Sequence, residues 1–550
     1  MRPSLLIGFA LLQVIGGASP ARGQSANDAP LTNDAPLTVE AVIQRAYATE
    51  GAIIQRMRDL RPIVEIYIQD LAPDAQIGEI PLVDTYFLGR FDWDNGPELE
   101  LFVDEDQERN VRESRINYQP DGFASMAAPD WAALEPSRYD FTFVRREFLG
   151  EARTFVFDVR PRKGPKEGFS GRIWIEDREF HIVRFNGINR KTRGNWFTRR
   201  LTFHVDSWRV NIRPGVWVPG HVYCEETSES GLVTTDAPHF KSQIRFWGYA
   251  PEVTDFDAQF TAIEILEPSV QDSAARPSQL APVQSQQRWE EDAEINVLER
   301  LERARLLTTA GDVEDVLNTV INNLLVTNDI TLVQPVKTRV LLTSPLESFT
   351  LGRTIVMSRG LIDVLPNEAS LAMMLAHELS HILLGHELID TRFAYSDRLM
   401  ISDSEMLQTL GLNRSEAEEL AADAAAIEML DRSPYADQLP DAGLFLRLLA
   451  VRAENLPNLV LPHIGEIMTD GNQKLRLAEL MLRSPELAPE DLAQIPALSL
   501  GARLYLDPWS GRLELLQTAS MSPSSLREKA PLRITTLTPF LTYADKLGTH

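Results

Sequence analysis

The chain has 550 residues, of which 44% are hydrophobic and 24% charged, with a net charge of −25 and one cysteine, Cys224. A chain of this length exceeds a single hydrophobic core and predicts several domains. The acidic balance argues against a general nucleic-acid binder, which needs clustered Lys and Arg to contact phosphates. A single thiol excludes both an intrachain disulfide and a cysteine-based zinc site.

The first residues have the features of an export signal. Arg2 precedes a mainly apolar run from Leu5 to Ala18, and Ser19-Pro20-Ala21 offers a cleavage site with small residues. Because this run is shorter than the roughly 20 residues of a membrane span, we predict a secretory signal peptide at residues 1–21. An uncleaved N-terminal anchor is the alternative. The expected location is the periplasm, with no stable membrane span beyond the signal segment.

A flexible segment and a β-rich domain are predicted next. Residues 22–38 contain the direct repeat NDAPLT-NDAPLT, whose small, polar and Pro residues predict a flexible tether. Thr38 to Arg58 has helical periodicity, and Ile63 to Ile68 is β-branched and strand-like. Further short runs alternate apolar and polar residues, which predicts an antiparallel meander within a domain at residues 39–264. These runs are Leu99–Val103, Thr154–Val159, Arg172–Ile175, Ile182–Phe185, Leu201–Val205 and Val216–Cys224.

One part of this region resembles known envelope proteins. Phe169 to Gly187 has the pattern of two strands joined by a turn at Glu176-Asp177-Arg178. It is similar to the curved-sheet lipoprotein-carrier domains of the cell envelope. The resemblance implies either a structural β domain without chemistry of its own or a surface that recruits a substrate.

The second half of the chain changes to helical periodicity. Residues 265–288 are rich in Pro, Ser, Gln and Ala, which predicts a linker. A mainly helical domain is predicted at 289–485, and a C-terminal extension at 486–550. The extension contains a predicted hairpin, Arg503 to Leu516, and a strand candidate, Leu532 to Tyr543.

The segment Leu371 to His386, LAMMLAHELSHILLGH, carries the chemical motif. Asn367 is a predicted N-cap for this helix. His377 and His381 are four residues apart, about one helical turn, so both imidazoles project from one face and can bind one Zn²⁺. Glu378 is placed to reach a metal-bound water. The helix is apolar almost all round, and buried histidines need partners. A metal supplies such partners. The alternative is that both histidines lie in the core with their hydrogen bonds satisfied and no metal bound.

A third zinc ligand is expected downstream, because a catalytic zinc usually has three protein ligands. Glu419 and Asp423 share one face of an alanine-rich helix that can pack closely on the zinc helix. We predict Glu419 as the third ligand, with a solvated helix acid as the alternative. Asp423 is predicted to hydrogen-bond a ligand imidazole. Ser415 and Glu418 are predicted to form a capping box.

The two motifs together resemble a known family. HExxH at 377–381 followed by ExxAD at 419–423 resembles the HtpX and CAAX prenyl protease family of zinc peptidases, peptidase family M-48, and is most similar to its soluble periplasmic branch. The resemblance extends from about Val336 to Leu480. It implies a mainly helical, gluzincin-like domain with a small sheet. The predicted fold class is therefore α+β multidomain, with an antiparallel β-rich N-terminal domain followed by this metallopeptidase domain.

The resemblance also implies roles for single residues. His386 matches the family's His shortly after the motif, and its place off the ligand face implies a structural role. Arg476 matches a family Arg, which implies a position in the catalytic centre and a pairing with Asp423. Asp470-Gly471 stands where the family has His-Pro, so the function of that His near the substrate oxyanion is missing there or falls to His463.

The predicted function is a zinc-dependent metalloendopeptidase with one Zn²⁺ per chain and Glu378 as general base. The expected partners are unfolded or envelope protein substrates and envelope-assembly proteins, not nucleic acid. The strand Thr354 to Met357 is predicted as an edge along which an extended peptide pairs, and Glu387 to Leu412 as a cover over the site. The alternatives are a periplasmic chaperone or scaffold with a latent zinc site and a non-proteolytic zinc hydrolase, such as a cell-wall amidase.

Overall fold

A computed structural model provides the architecture of the chain. The residues that the structure describes are 38–58, 60–74, 78–92, 98–102, 123, 135–149, 152–162, 168–191, 201–226, 239–249, 295–308, 311–332, 334–386, 407, 412, 414–452, 456–460, 464, 476–486, 504–506 and 513–515. The predicted signal peptide, nearly all of the tether, the linker and the last strand candidate lie outside the described residues.

One large antiparallel sheet dominates the first half of the described chain. A helix, α1 (Val39–Arg58), precedes its strands. The strands are β1 (Ile63–Asp74), β2 (Gly78–Asp92), β3 (Glu98–Leu101), β4 (Tyr139–Leu149), β5 (Ala152–Pro161), β6 (Gly168–Glu176), β7 (Ile182–Lys191), β8 (Leu201–Arg213), β9 (Val216–Glu226) and β10 (His239–Trp247). They form a 10-stranded sheet in the order β3-β2-β1-β10-β9-β8-β7-β6-β5-β4. The first strand therefore pairs with the last, and Ile63 lies opposite Trp247.

The predicted strand runs overlap strands of this sheet, so the predicted antiparallel β-rich N-terminal region is confirmed. Three strands lie outside those runs, for physical reasons. β2 is buried on both faces over much of its length and contains Pro81, so it shows no clean alternation. β4 is an edge strand with only Tyr139 buried along its length. β10 buries the polar Ser242 and Gln243 between apolar residues, which masks its period.

Helix α1 packs on one face of the sheet. Its buried Val42, Ile43 and Ala46 belong to one cluster with sheet residues such as Val64 and Ile66. The helical spacing of these residues follows the 3.6-residue repeat that the sequence shows. Glu50 of α1 and Arg209 of β8 form a buried ion pair, with Glu50 Oε1 2.8 Å from Arg209 Nη1. This ion pair holds the helix on the sheet.

The second half of the described chain is mainly helical with a small sheet, as predicted. The helices are α2 (Asp312–Thr327), α3 (Arg359–Val364), α4 (Glu368–Leu384), α5 (Glu416–Asp431), α6 (Leu439–Arg452), α7 (Pro457–Val460) and α8 (Glu479–Arg483). The strands are β11 (Lys337–Leu341), β12 (Ser348–Leu351) and β13 (Thr354–Ser358), and residues 295–303 are also helical. α4 lies at the centre and contacts α2, α5 and α6.

The predicted peptide-pairing edge is wrong. The three-stranded sheet has the order β11-β13-β12, so the strand that contains Thr354 to Met357 is the central one. Its backbone groups are taken on one side by a parallel partner and on the other by an antiparallel partner. No free edge is left on this central strand for a peptide, and the outer strands of the sheet are β11 and β12.

The large sheet and the helical region share one hydrophobic core. Successive side chains of a strand point to opposite faces, and β1 uses both. Val64, Ile66 and Ile68 belong to the cluster under α1, whereas Ile63 and Tyr67 belong to the core of the helical region. Burial of both faces explains why apolar residues of this strand occupy adjacent as well as alternate positions in the sequence.

The C-terminal extension contains a short hairpin, as predicted. β14 (Leu504–Leu506) pairs antiparallel with β15 (Leu513–Leu515). Within the described part of the chain, no helix has both the length and the apolar character that a membrane crossing requires.

Candidate metal centre and active site

Helix α4 positions the two histidines of the HExxH motif. Asn367 is its N-cap, as predicted, and its side chain accepts a hydrogen bond from Ser370 N at 2.9 Å. Gly385 ends the helix in the left-handed region with φ of 68°, a conformation that glycine adopts without strain. His377 and His381 lie on one face, fully buried, with their Nε2 atoms 3.1 Å apart.

Helix α5 brings an acidic side chain to the same point. Its start is fixed by the predicted capping box, in which Ser415 Oγ accepts from Glu418 N and the Glu418 carboxylate accepts from Ser415 N. Ala422 and Ala426 are fully buried, so the helix approaches α4 closely. Glu419 then lies with Oε2 at 3.4 Å from His377 Nε2 and Oε1 at 3.8 Å from the Nε2 of the second histidine.

The donor set fits a metal ion. One ligand atom from each of His377, His381 and Glu419 lies within 4.8 Å of the other two. Tetrahedral zinc with bonds of ~2.0–2.1 Å holds its ligand atoms about 3.3 Å apart, close to the separations observed here. The Oε2 atom of Glu419 is buried and lies 3.4 Å from His377 Nε2, at the point where the three side chains converge.

The pKa values of the ionisable side chains in this cluster are strongly shifted. Burial and Arg476 lower the pKa of His377, but the hydrogen bonds to Asp423 and Glu419 outweigh them and raise it to about 9. Burial lowers the pKa of His381 to about 2, with the positive neighbours His377 and Arg414 adding to the effect. Burial opposes ionisation of Glu419, yet the hydrogen bond from His377 and the charge of Arg476 hold its pKa well below the ordinary value.

The outer nitrogens of both imidazoles are also engaged. His377 Nδ1 lies 2.9 Å from Asp423 Oδ1, and His381 Nδ1 lies 3.0 Å from His386 Nδ1. Asp423 and His386 are the two residues for which the sequence implied supporting positions. Contacts of this kind fix the tautomer and the orientation of a ligand imidazole.

Glu378, beside the first histidine, is held by strand β12. Its Oε1 accepts from Ser348 Oγ at 2.7 Å, and its Oε2 accepts from Thr350 Oγ1 at 2.7 Å. The carboxylate and both hydroxyl residues are at most 1% exposed. Neither hydroxyl residue was among the predicted site residues. The available signal was two hydroxyl residues two positions apart, hence on one face of a strand.

With this geometry defined, a family comparison identifies the surrounding segment. Residues 312–442 match the model of peptidase family M48, about a quarter of the chain. This segment is a peptidase family M48 domain. The matched range includes α4, α5 and the small sheet, and therefore includes His377, His381, Glu378 and Glu419. It includes neither the large sheet nor Arg476.

Two arginines add positive charge around this cluster of side chains. Arg476 Nε lies 3.1 Å from Glu419 Oε2, and its Nη1 lies 3.4 Å from Glu378 Oε1. The next residue, Leu477, donates its backbone N–H to Asp423 Oδ2 at 2.8 Å. Arg414 donates to the carbonyl oxygen of Thr350 at 3.3 Å.

Several predicted features of the region around the M48 domain lie outside the described residues. They include Asp470-Gly471 and His463, and all but residues 407 and 412 of the predicted cover from 387 to 412.

Comparison with curated proteins gives no match. Among solved structures, the chain is similar to a LolA superfamily protein from Nitrosomonas europaea, at 12% identity over 38% of this chain and 92% of that one, with a TM-score of 0.20. It is also similar to a DUF1329 family protein from Desulfovibrio piger, at 9% identity over 40% of this chain and 96% of that one, with a TM-score of 0.18. TM-scores of this size carry no argument about function.

Proposed function

We propose that the chain is a zinc-dependent metalloendopeptidase that cleaves unfolded or envelope proteins after export to the periplasm. The observation that carries the proposal is the convergence of His377, His381 and Glu419, with Glu378 beside them, within a segment that matches peptidase family M48. A peptidase implies protein substrates. The apolar run at residues 5–18 supports export.

His377, His381 and Glu419 would hold one zinc ion. When bound, zinc supplies a Lewis acid that lowers the pKa of water and polarises a peptide carbonyl. Neutral imidazole is the form that ligates a metal, and the lowered pKa of His381 keeps this ring neutral at physiological pH. Asp423 keeps the ring of His377 oriented.

Glu378 is assigned as the general base. Its carboxylate takes a proton from the attacking water and delivers it to the leaving amine. Each carboxylate oxygen has two lone pairs, so the bonds from Ser348 and Thr350 leave acceptor capacity for water. These two hydroxyls hold the carboxylate in one orientation.

Arg476 is assigned to charge stabilisation. It lies within 3.4 Å of Glu378 and 3.1 Å of Glu419, and it is 6% exposed. A buried guanidinium next to the reacting groups stabilises negative charge that develops in the transition state, where low dielectric strengthens the interaction.

The proposal is tested on the purified full chain by measuring bound metal and cleavage of an unfolded polypeptide. We expect one zinc per chain, and Glu378→Gln should keep the metal while cleavage falls by roughly 10²–10⁴-fold. Glu419→Gln should lose the metal, whereas Glu418→Gln, its neighbour in the capping box, should keep both metal and activity. Absence of bound zinc from the parent protein would overturn the proposal. Bound zinc without cleavage would favour the alternative, a chaperone or scaffold with a latent site.

A further inference from the structure

Two buried carboxylates lie on the face of the large sheet that meets the M48 domain. Glu65 of β1 and Asp84 of β2 are each 1% exposed. Glu65 lies between Ile63 and Tyr67, which belong to the core of the helical region. Burying a carboxylate is costly unless hydrogen bonds compensate for the lost hydration. The hydrogen-bond partners of these two carboxylates therefore indicate their structural role.

Glu65 holds the segment that leads into the active-site strand. Its Oε1 accepts from Ser344 N at 2.5 Å and from Tyr86 Oη at 2.9 Å, and its Oε2 accepts from Ser344 Oγ at 2.8 Å. Arg245 of β10 lies 3.7 Å from Oε2 and balances the charge. One residue of the large sheet thus binds both the backbone and the side chain of Ser344, four positions before Ser348.

Asp84 holds a second segment, the start of α7. Its Oδ1 accepts from Asn458 N at 3.0 Å, and its Oδ2 accepts from Leu459 N at 2.9 Å. Its backbone carbonyl accepts from Asn458 Nδ2 at 2.9 Å, and Tyr67 donates to Oδ2 at 3.2 Å. Burial raises the pKa of Asp84 to about 7, although these hydrogen bonds act in the opposite direction.

The two segments meet at the lead-in to β12. The carbonyl oxygen of Leu459 accepts from Leu346 N at 2.7 Å. Glu347 accepts from Ile464 N and from Thr343 Oγ1, each at 3.3 Å. Residues 343–347 are therefore held by Glu65 directly and by Asp84 through Leu459. The chain then continues into Ser348 and Thr350, whose hydroxyls bind Glu378.

We propose that Glu65 and Asp84 are positioning residues, by which the large sheet sets the place of β12 and so the orientation of Glu378. The inference rests on the proposed peptidase function for its effect on catalysis, but the hydrogen bonds that carry it are independent of that function. An apolar pair of similar volume would pack at least as well in a core. Carboxylates instead fix the distance and direction of the backbone groups that they bind.

The test uses the full chain with zinc and compares Glu65→Met and Asp84→Asn with Glu176→Met. Glu176 is a matched control, because it is a buried carboxylate of the same sheet that accepts from the backbone of Arg178 and Glu179 and touches neither α7 nor residues 343–347 among the contacts described. The readouts are amide hydrogen exchange of peptides spanning residues 343–351, zinc content, and kcat and KM on an unfolded polypeptide.

We expect Glu65→Met and Asp84→Asn to accelerate exchange in residues 343–351 while zinc content is retained, and to lower kcat about 10- to 100-fold at unchanged KM, as expected when a reacting group is displaced by about 1 Å. Glu176→Met should change neither the exchange of residues 343–351 nor kcat. If Glu65→Met does not fold, Ser344→Ala removes one of the same hydrogen bonds at smaller risk and should give the same pattern more weakly.

A second arm tests the route to Glu378. In a chain that already carries Ser348→Ala and Thr350→Val, adding Glu65→Met should cause little further loss of kcat, because the link from β12 to Glu378 is already cut. Full additivity, or unchanged exchange in residues 343–351, overturns the positioning role. A parent protein that binds zinc but cleaves nothing refutes the peptidase proposal instead, and the exchange data then still decide the positioning role.

Discussion

The Nδ1 atom of His377 lies 2.9 Å from Oδ1 of Asp423. The other carboxylate oxygen of Asp423 accepts from the backbone N–H of Leu477 at 2.8 Å. The carboxylate therefore joins the HExxH helix, the ExxAD helix and the start of the segment after Arg476. Its two oxygens both act as acceptors, and an amide cannot replace both.

Asp423→Asn is expected to lower zinc affinity about 10- to 100-fold, the usual cost of losing a partner of a ligand imidazole. The amide presents an N–H group to one of two donors, so either His377 or Leu477 loses its acceptor. Competition with a chromophoric chelator measures the affinity. Asp431→Asn, at the exposed end of the same helix, is the control and should leave affinity unchanged. Equal affinities in both variants would contradict the prediction.

Metal binding should release close to one proton near pH 7. The pKa of His377 is raised to about 9 in the metal-free protein, whereas that of His381 is lowered to about 2. The metal must therefore displace a proton from His377 only, and affinity should rise with pH until about 9. Calorimetry in buffers of different ionisation enthalpy counts the protons. Release of two protons would show that both imidazoles are protonated in the metal-free protein.

The same shift predicts how the stability of the metal-free protein depends on pH. A histidine whose pKa is higher in the folded than in the unfolded state binds a proton more tightly when folded, which stabilises the fold at low pH. The contribution of His377 should be complete below about pH 6.5, the unperturbed value, and should be lost as pH rises through about 9. Denaturant titrations at several pH values measure the free energy of unfolding. With metal removed from both proteins, His377→Gln should lack the pH-dependent contribution that the parent protein shows.

Removal of the hydroxyls that hold Glu378 should impair turnover without removing metal. The double variant Ser348→Ala, Thr350→Val leaves the carboxylate free to rotate, and we expect kcat to fall by at least about 10-fold with zinc content unchanged. Ser380→Ala is the control, because its buried hydroxyl donates within the same helix to the carbonyl of Ala376. Unaltered kcat would show that the orientation of Glu378 does not depend on β12.

The approach of α3 to the lead-in of β12 makes one glycine indispensable. A Cβ at Gly360 would lie 1.8 Å from the carbonyl oxygen of Ser344. Gly360→Ala should therefore destabilise the protein by about 1–3 kcal/mol, the usual cost of overpacking. Gly51→Ala in α1, where a Cβ meets nothing within 4 Å, should instead stabilise it by roughly 0.5–1 kcal/mol. Denaturant midpoints of the two variants should shift in opposite directions.

The local parts of the candidate site were predictable from sequence because they depend on helical geometry. The four-residue spacing of His377 and His381 places both on one face of a helix, and the cap at Asn367 and the capping box at Ser415 are local hydrogen bonds. The structure brings Glu419 to the two histidines as well. That approach depends on alanines, which are visible in the sequence.

The partners that come from far along the chain were not predictable. Glu65 lies 279 positions from Ser344, and Asp84 lies 374 positions from Asn458. Neither carboxylate differs in sequence from a solvated strand residue until the strands are packed. The pairing order of the small sheet was also hidden, because β11, β12 and β13 are short runs whose order depends on non-local contacts.

The pairing of β1 with β10 has a consequence for how the protein is made. Ile63 cannot meet Trp247 until the intervening residues exist, and closing so long a loop is slow compared with forming local helices. We expect pulse-labelled exchange during refolding to show protection of the amides of helix α1 before those of β1 and β10. A chain that emerges N-terminus first would then complete the sheet before Glu378 is aligned. The proposed peptidase would acquire proteolytic activity last, when its own polypeptide is no longer an unfolded substrate.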